Sequence, residues 1–338
     1  MTLDIEQPGS LEAYLRKNNY ILPEEPVDTL PLAGGVSNRT VLIRRANGKA
    51  WVVKQALEKL RVAVDWFSSP TRIHREALAL RIVAQLLPAG AVPLLIFEDW
   101  DHHLLGMSAV PEPHANWKSM LLQGTLQDNH VRQFATLLGK LHGASTEQAG
   151  SLAGLFADRT FFETLRLEPY YAYSASQIPE AAPFLTQLIA ETDRRRHCIV
   201  HGDFSPKNIL VHREQLILLD YEVIHWGDPA FDVGFALTHL LSKAHHLSAM
   251  RNDFASAALT YWDTYRTTIG NQPWSADLAP WVVRHTMACL LARVAGRSPL
   301  EYLSTTERNR QLQAVLAMLV KQPPTVAMLI EQFIAALA

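Results

Sequence analysis

Short apolar runs broken by turn residues fill the first third of the chain, and longer amphipathic stretches fill the rest. SLEAYLRKN (10–18) predicts a short helix with Ser10 as its N-cap. DTLPLAGGVSNRTVLIRR reads as strand, glycine turn and strand, and KAWVVKQA as a third strand in which Trp51, Val52 and Val53 run into Lys54. In TRIHREALALRIVAQLLP the apolar positions 78, 82, 83, 86 and 87 form a helical stripe that stops at Pro88. VPLLIFEDWDHHLLGMSAV gives two more strands around a polar turn at Asp99–His103. Residues 29–110 therefore predict a small antiparallel sheet with one helix.

The proline-rich VPEPHANW (110–117) marks a boundary between an N-terminal part, 1–109, and a C-terminal part, 110–338. Beyond it NHVRQFATLLGKLHGA reads as an amphipathic helix ending at Gly143, and 160–197 as helix interrupted by prolines. From DPAFDVGFALTHLLSKA onward the pattern is helical. The fold class is α+β, with a strand-rich first part and a mainly helical second.

Composition narrows this little. The 338 residues are 48% apolar and 19% charged, and the formal charge is −2. No global field favours nucleic acid or an anionic membrane. No stretch approaches the ~20 uncharged apolar residues of a membrane helix, and MTLDIEQPGS has no signal-peptide pattern. Cys198 and Cys289, both in apolar settings, suit a reduced pair. The expectation is a cytoplasmic protein without nucleic-acid or membrane partners.

One strand-rich island interrupts the helical part: IVHGDFSPKNILVHREQLILLDYEV (199–223). HGDFSPKN is a polar loop between apolar flanks, holding Asp203 and Asn208. LILLDYE brings Asp220 to the end of a buried strand, and a hairpin turning at HREQ would set Asp220 beside Asn208. Those two oxygen donors suit a hard divalent cation, above all Mg2+ with phosphate oxygens completing its shell. Asp203 is left to orient and deprotonate a hydroxyl.

H-x-D-x-x-x-x-N followed by a strand-borne Asp resembles the catalytic and metal loops of protein-kinase-like folds. The Gly of HGD and the downstream GDPAFDVG resemble the aminoglycoside phosphotransferase/choline kinase family, from about residue 30 to about 300. This resemblance implies a two-lobed fold and an ATP-dependent kinase acting on a hydroxyl of a small molecule. It implies Asp203 as the base, with Asn208 and Asp220 as Mg2+ ligands. LAGGVSN stands where the family's nucleotide loop belongs, with Gly34, Gly35, Ser37 and Asn38 facing phosphates. Lys54 matches the phosphate-binding lysine, Glu76 its ion-pair partner at the opening of the next helix, and MSAVP, with Ser108 and Val110, the hinge along the adenine edge. Asp232 resembles the residue that braces the catalytic loop.

The chain departs from protein kinases in three ways. Ser205 replaces their lysine two residues after the Asp, leaving Lys207 or His201 to supply charge. DYE replaces D-F-G, and no A-P-E follows. VVKQALEKLRV is similar to the Lys strand of methylthioribose kinases, so such a sugar kinase is an alternative, as is a nucleotide-binding scaffold without turnover. From Ala255 to the end five acidic residues face seven basic ones, with Tyr261, Trp262, Tyr265, Trp274 and Trp281 among them. A polycationic acceptor would want carboxylates there, so the acceptor is expected to be neutral or weakly charged. Arg293 and Arg297, four apart, are expected to share a helix face. RRRH (194–197) and both His-His pairs, 102–103 and 245–246, are expected at the surface.

Overall fold

The computed structural model describes residues 3–32, 35–61 and 66–337. Two compact units emerge: Met1–His114 with Ile217–Glu222, and Ala115–Leu216 with Val223–Ala338.

The first unit holds α1 (Ser10–Lys17), β1 (Val27–Pro31), β2 (Asn38–Arg45), β3 (Ala50–Ala56), α2 (Arg72–Leu86), β4 (Leu95–Asp99) and β5 (Leu104–Ser108). The strands form one antiparallel sheet in the order β1-β2-β3-β5-β4. Side chains alternate across a strand. Trp51 and Val53 thus join Val41, Ile43, Leu11, Tyr14 and Leu15 in one apolar cluster, while Lys54 projects to the face that carries α2. Helix α2 presents Ile73, Ala77, Leu80 and Val83 to the sheet, which fixes Glu76 on its inner side. Glu76 lies in the second turn of α2 rather than opening it. Ser10 is the first helical residue of α1, not its cap: Gly9 fills that place at φ 74°, without a side-chain bond.

The second unit contains β6 (Ala115–Asn116), α3 (Trp117–Leu122), α4 (Asp128–Glu147), α5 (Ala149–Leu152), α6 (Thr160–Phe162), a π-helix (Glu163–Ala172), α7 (Tyr173–Gln177) and α8 (Ala182–Arg194). Strands β7 (Cys198–Val200), β8 (Ile209–His212), β9 (Gln215–Leu218) and β10 (His225–Gly227) follow, β9 running into the segment grouped with the first unit. The chain ends in α9 (Pro229–His246), α10 (Arg251–Ile269), α11 (Leu278–Ala295), α12 (Thr305–Val320) and α13 (Val326–Ala336). β7 pairs antiparallel with β10, and β6 with β8. Helix α9 is buried along nearly its whole length, the signature of a helix enclosed on all sides. Asp228 caps it by accepting the Ala230 N–H, with Pro229 at the first helical position. At Gly234 a Cβ would meet Thr286 N at 2.7 Å, so glycine lets α9 and α11 approach this closely. No described helix is long and apolar enough to cross a membrane.

Several sequence expectations give way here. Helix α4 continues through Gly143 to Glu147, because a glycine inside a packed helix lowers its stability without ending it. His245 is buried, its Nε2 against the carbonyl oxygen of Glu307 at 2.9 Å. Arg195 is drawn inward to Asp228 at 2.7 Å and over the Trp281 ring. Tyr261, Trp262, Tyr265 and Trp274 are buried in the helical core, where they pack instead of awaiting a ligand. Helix α11 ends at Ala295, so Arg297 lies beyond it and turns to Glu168 at 2.9 Å.

Candidate active site

In the first unit the site is built around one ammonium group. Lys54 Nζ donates to Glu76 Oε1 at 2.7 Å and lies 3.5 Å from Asp220 Oδ1. Burial disfavours the charge on Lys54, but the two carboxylates outweigh it and raise its pKa. Burial pushes Glu76 the other way for an acid, up to about 7; Lys54 opposes this and Asp220 adds to it. Two acids thus contend for one base, leaving an excess of negative charge at Asp220. Asp220 has φ 69°, a left-handed conformation that Asp tolerates better than most residues. Such outliers concentrate where a side chain must be aimed. Its Oδ1 is buried and accepts no hydrogen bond from the described residues.

Arg72 and Glu222 belong to this cluster of the first unit, and sequence reasoning missed both. Arg72 is wholly buried and donates through Nε to Glu222 Oε2 at 3.2 Å. Its guanidinium also donates to the carbonyl oxygens of Ser68 and Ser69, both at 3.0 Å, of Leu57 at 2.7 Å, and of Ser37. Ser37 and Asn38 are themselves buried at the start of β2, with Asn38 Nδ2 donating to Ser37 Oγ at 3.1 Å. One arginine therefore ties the glycine loop to the DYE segment, which explains a glutamate as the third residue there. Gly35 has ordinary room for a Cβ; Gly34 lies outside the described residues. In the segment 107–111 the Ser108 N–H donates to Leu94 O, its hydroxyl accepts the Leu94 N–H, and Ala109 N–H donates to Ala50 O. Val110 is the first residue beyond these sheet bonds.

In the second unit the loop 201–208 leaves β7 and closes with a 3-10 turn, Pro206–Asn208. That turn brings Asn208 Nδ2 back to donate to Asp203 O at 2.9 Å and Asp203 Oδ2 at 2.8 Å; the Asn208 amide oxygen takes no part in these bonds. Oδ2 also meets Arg166 Nη2 at 3.0 Å and Lys207 Nζ at 2.9 Å. Burial would raise the Asp203 pKa, but Arg166, Lys207 and Asn208 together hold it well below the usual carboxylate range. All three partners use Oδ2. Oδ1 is buried and has no hydrogen-bond partner among the described residues.

The loop is held from below by α9. Asp232 accepts the His201 N–H at 2.6 Å and the Gly202 N–H at 2.8 Å. His201 is a scaffold residue, wholly buried, whose Nδ1 accepts the Asp203 N–H at 3.2 Å. Gly202 has φ 78°, and a Cβ there would lie 2.9 Å from the Val223 side chain and 3.0 Å from its carbonyl oxygen. Only glycine meets both demands. Lys207 rather than His201 supplies charge beside Asp203, and Ser205, at the place of the protein-kinase lysine, is buried. Arg166 reaches the loop from the π-helix, where its Nε also donates to Gly202 O at 2.8 Å. No motif marks Arg166; its one sequence signal is a basic residue between Leu165 and Leu167 in an apolar stretch.

The model of the phosphotransferase enzyme family matches residues 28–269. Among solved structures, ethanolamine kinase of Plasmodium vivax superposes with a TM-score of 0.59 at 11% identity, over 94% of this chain and 91% of that one. An amicoumacin kinase in complex with AMP-PNP, Ca2+ and Ami gives 0.57 at 14% identity, over 93% and 95%. A choline/ethanolamine kinase family protein from Mesorhizobium loti gives 0.50 at 14%, over 97% and 99%. At such identities the likeness shows a shared protein-kinase-like fold. No curated protein matches the sequence.

Proposed function

The chain belongs to the phosphotransferase enzyme family, and from that premise we propose that it moves the γ-phosphoryl group of ATP to a hydroxyl of a small molecule. The observation that carries this is Asp203: one carboxylate oxygen is saturated by Arg166, Lys207 and Asn208, and the other is buried and idle. An ionised carboxylate with a single free, fixed oxygen is suited to accept a hydrogen bond from an acceptor hydroxyl. The hydroxyl oxygen then forms a bond to the γ-phosphorus as the bond to the β-bridging oxygen breaks. ADP departs, and the hydroxyl proton passes to Asp203 Oδ1. Because its pKa is held low, Asp203 orients the hydroxyl throughout and takes the proton late, as befits a loose phosphoryl transition state.

Lys54, steadied by Glu76, would neutralise the α- and β-phosphates, and Ser37, Asn38, Gly34 and Gly35 would lie along the phosphate chain. The hinge at Ser108 and Val110 would flank the adenine. Asn208 and Asp220 would hold Mg2+. The donor set fits: an amide oxygen and a buried carboxylate oxygen without a hydrogen bond are hard ligands, and the excess negative charge at Lys54–Glu76–Asp220 calls for a cation. When bound, the ion supplies charge neutralisation to the phosphate oxygens. A scaffold without turnover has no use for the idle Asp203 oxygen.

The acceptor in this proposal is neutral or weakly charged rather than a polycation, since cations already surround Asp203. The test is Asp203→Asn, which keeps the size of the side chain and removes the charge. ADP release with a pool of hydroxylated metabolites should fall about 10²–10⁴-fold, the usual effect of a general base, while ATP affinity stays near that of the wild type. A loss of less than about threefold would remove Asp203 from this role.

A further inference from the structure

The second unit buries two cations that no carboxylate meets at ion-pair distance. Lys243 is wholly buried on α9, and its Nζ makes one hydrogen bond, to His239 O at 3.3 Å. Arg293, 8% exposed on α11, donates through Nη1 to Tyr170 Oη at 2.9 Å and to Ser298 O at 2.7 Å, while its Nε has no partner among the described residues. Neither takes part in an ion pair among the described residues. Glu301, the acid nearby, is bound to Lys118 instead.

Contacts link these groups to the reacting end of the site. Arg293 and Arg166 lie 5.5 and 5.6 Å from the Tyr170 ring, and Arg166 bonds Asp203. Lys243 Nζ lies 5.5 Å from the Tyr302 ring. The segment between is tied to α11 by the Leu300 N–H, which donates to Arg293 O at 2.9 Å. Two more buried donors stand idle here: His239 Nε2, one turn from Lys243 on α9, and Tyr302 Oη. His239 is 4% exposed. Burial, with Lys118 and Arg293 adding to it and Glu301 opposing, drives Lys243 down to about 7; burial, then Arg293 and Lys243, depress His239, with Asp203 opposing.

Buried charges are otherwise paired, because an isolated one is costly to desolvate. We infer that the acceptor carries an oxyanion, a carboxylate or a phosphate, in addition to its hydroxyl, and that Lys243 and Arg293 bind it with His239 and Tyr302 as further donors. This rests on the phosphotransfer reading above and gives the weakly charged acceptor its sign. Arginine offers a planar fork to such a group and lysine a point charge; Arg166 and Lys207 are already committed to Asp203.

Two measurements on the full chain test it. In the first, thermal unfolding is followed below neutral pH with sodium sulfate against sodium chloride at equal ionic strength. Sulfate should raise the wild-type Tm by several degrees, and Lys243→Met and Arg293→Gln should each lose most of that rise. Lys243→Met breaks no ion pair, so it folds and keeps the comparison open if Arg293→Gln does not. A rise that is absent from the wild type, or undiminished in Lys243→Met, overturns the proposal. In the second, ADP release is compared for gluconate against glucitol, glycerate against glycerol, and glucose 6-phosphate against glucose. The anionic member should have a kcat/KM at least about tenfold higher in a turned-over pair, the scale of 1.4 kcal/mol, and the better pair tells carboxylate from phosphate. Consistent preference for the neutral member overturns the oxyanion and leaves phosphotransfer standing. If no acceptor at all is phosphorylated, phosphotransfer fails and the sulfate result alone decides on the oxyanion.

Discussion

Replacing Asp232 by Asn measures how firmly α9 holds the loop that carries Asp203. The carboxylate is wholly buried and accepts two backbone N–H groups, from His201 at 2.6 Å and Gly202 at 2.8 Å, with His142 Nε2 at 3.3 Å from the same Oδ2. Asparagine keeps one acceptor oxygen. Its NH2 then faces the second N–H, donor against donor. The change removes one charge-assisted bond, about 1.5–3 kcal/mol, and leaves a buried donor unmet, about 1–3 kcal/mol. These overlap, so about 2–4 kcal/mol is expected overall. For a unit of this size each kcal/mol moves Tm by about 2–4 °C, which gives a fall of roughly 5–15 °C in thermal unfolding followed by circular dichroism. Turnover should fall as well, measured well below the new Tm, because the loop that presents Asp203 is no longer held at both N–H groups. A Tm within about 2 °C of the wild type, with unaltered turnover, would refute the bracing role.

Three further outcomes follow from the site. Asp220→Asn should raise the Mg2+ concentration needed for half-maximal activity and weaken Mg2+-ATP binding; superimposable Mg2+ titrations would place the cation elsewhere. Gly202→Ala forces a Cβ into the left-handed region, at about 1–2 kcal/mol, and against Val223; Tm and turnover should both fall, and a variant as stable as the wild type would contradict the loop geometry. Lys243 holds its proton to pH 10.5 when unfolded but only to about 7 when folded. Between those values the unfolded chain binds the extra proton, so folding stability gains from rising pH across that window. Denaturation at a series of pH values should show a slope there that Lys243→Met lacks, and equal slopes would mean that Lys243 titrates normally.

Much of this was legible in the sequence, for identifiable reasons. The five strands and α2 declare themselves because short apolar runs and one longer helical stretch are set off by turn residues, although β1 is largely exposed and the buried face of α2 runs through Ile73, Ala77, Leu80 and Val83 rather than 78, 82 and 86. The loop 201–208 stands out because polar residues so close together between apolar runs have few uses. Lys54 and Glu76 come together as the family resemblance implies. What was hidden depends on partners far along the chain. His245 reads as a surface residue until Glu307 supplies a carbonyl oxygen. Tyr261, Trp262, Tyr265 and Trp274 announce apolar area but not which way it faces. The π-helix at Glu163–Ala172 is invisible because its residues suit an ordinary helix equally well. With it went Arg166, whose role exists only once that segment meets Gly202 and Asp203.

Helix α9 carries Asp232 at one end and Lys243 near the other, eleven residues apart and so about 16 Å along its axis. The first fixes the loop that presents Asp203, and the second fixes the positive charge. Gly234 locks the helix against α11 with no slack for sliding. If Lys243 holds the acceptor's oxyanion as proposed, the helix acts as a ruler, and the length of molecule it admits is set in whole residues. Inserting or deleting one residue between 234 and 243 would shift Lys243 by about 1.5 Å and turn it about 100° around the axis. Selectivity for acceptor length would then change in discrete jumps, whereas single side-chain substitutions along the same helix would only adjust affinity.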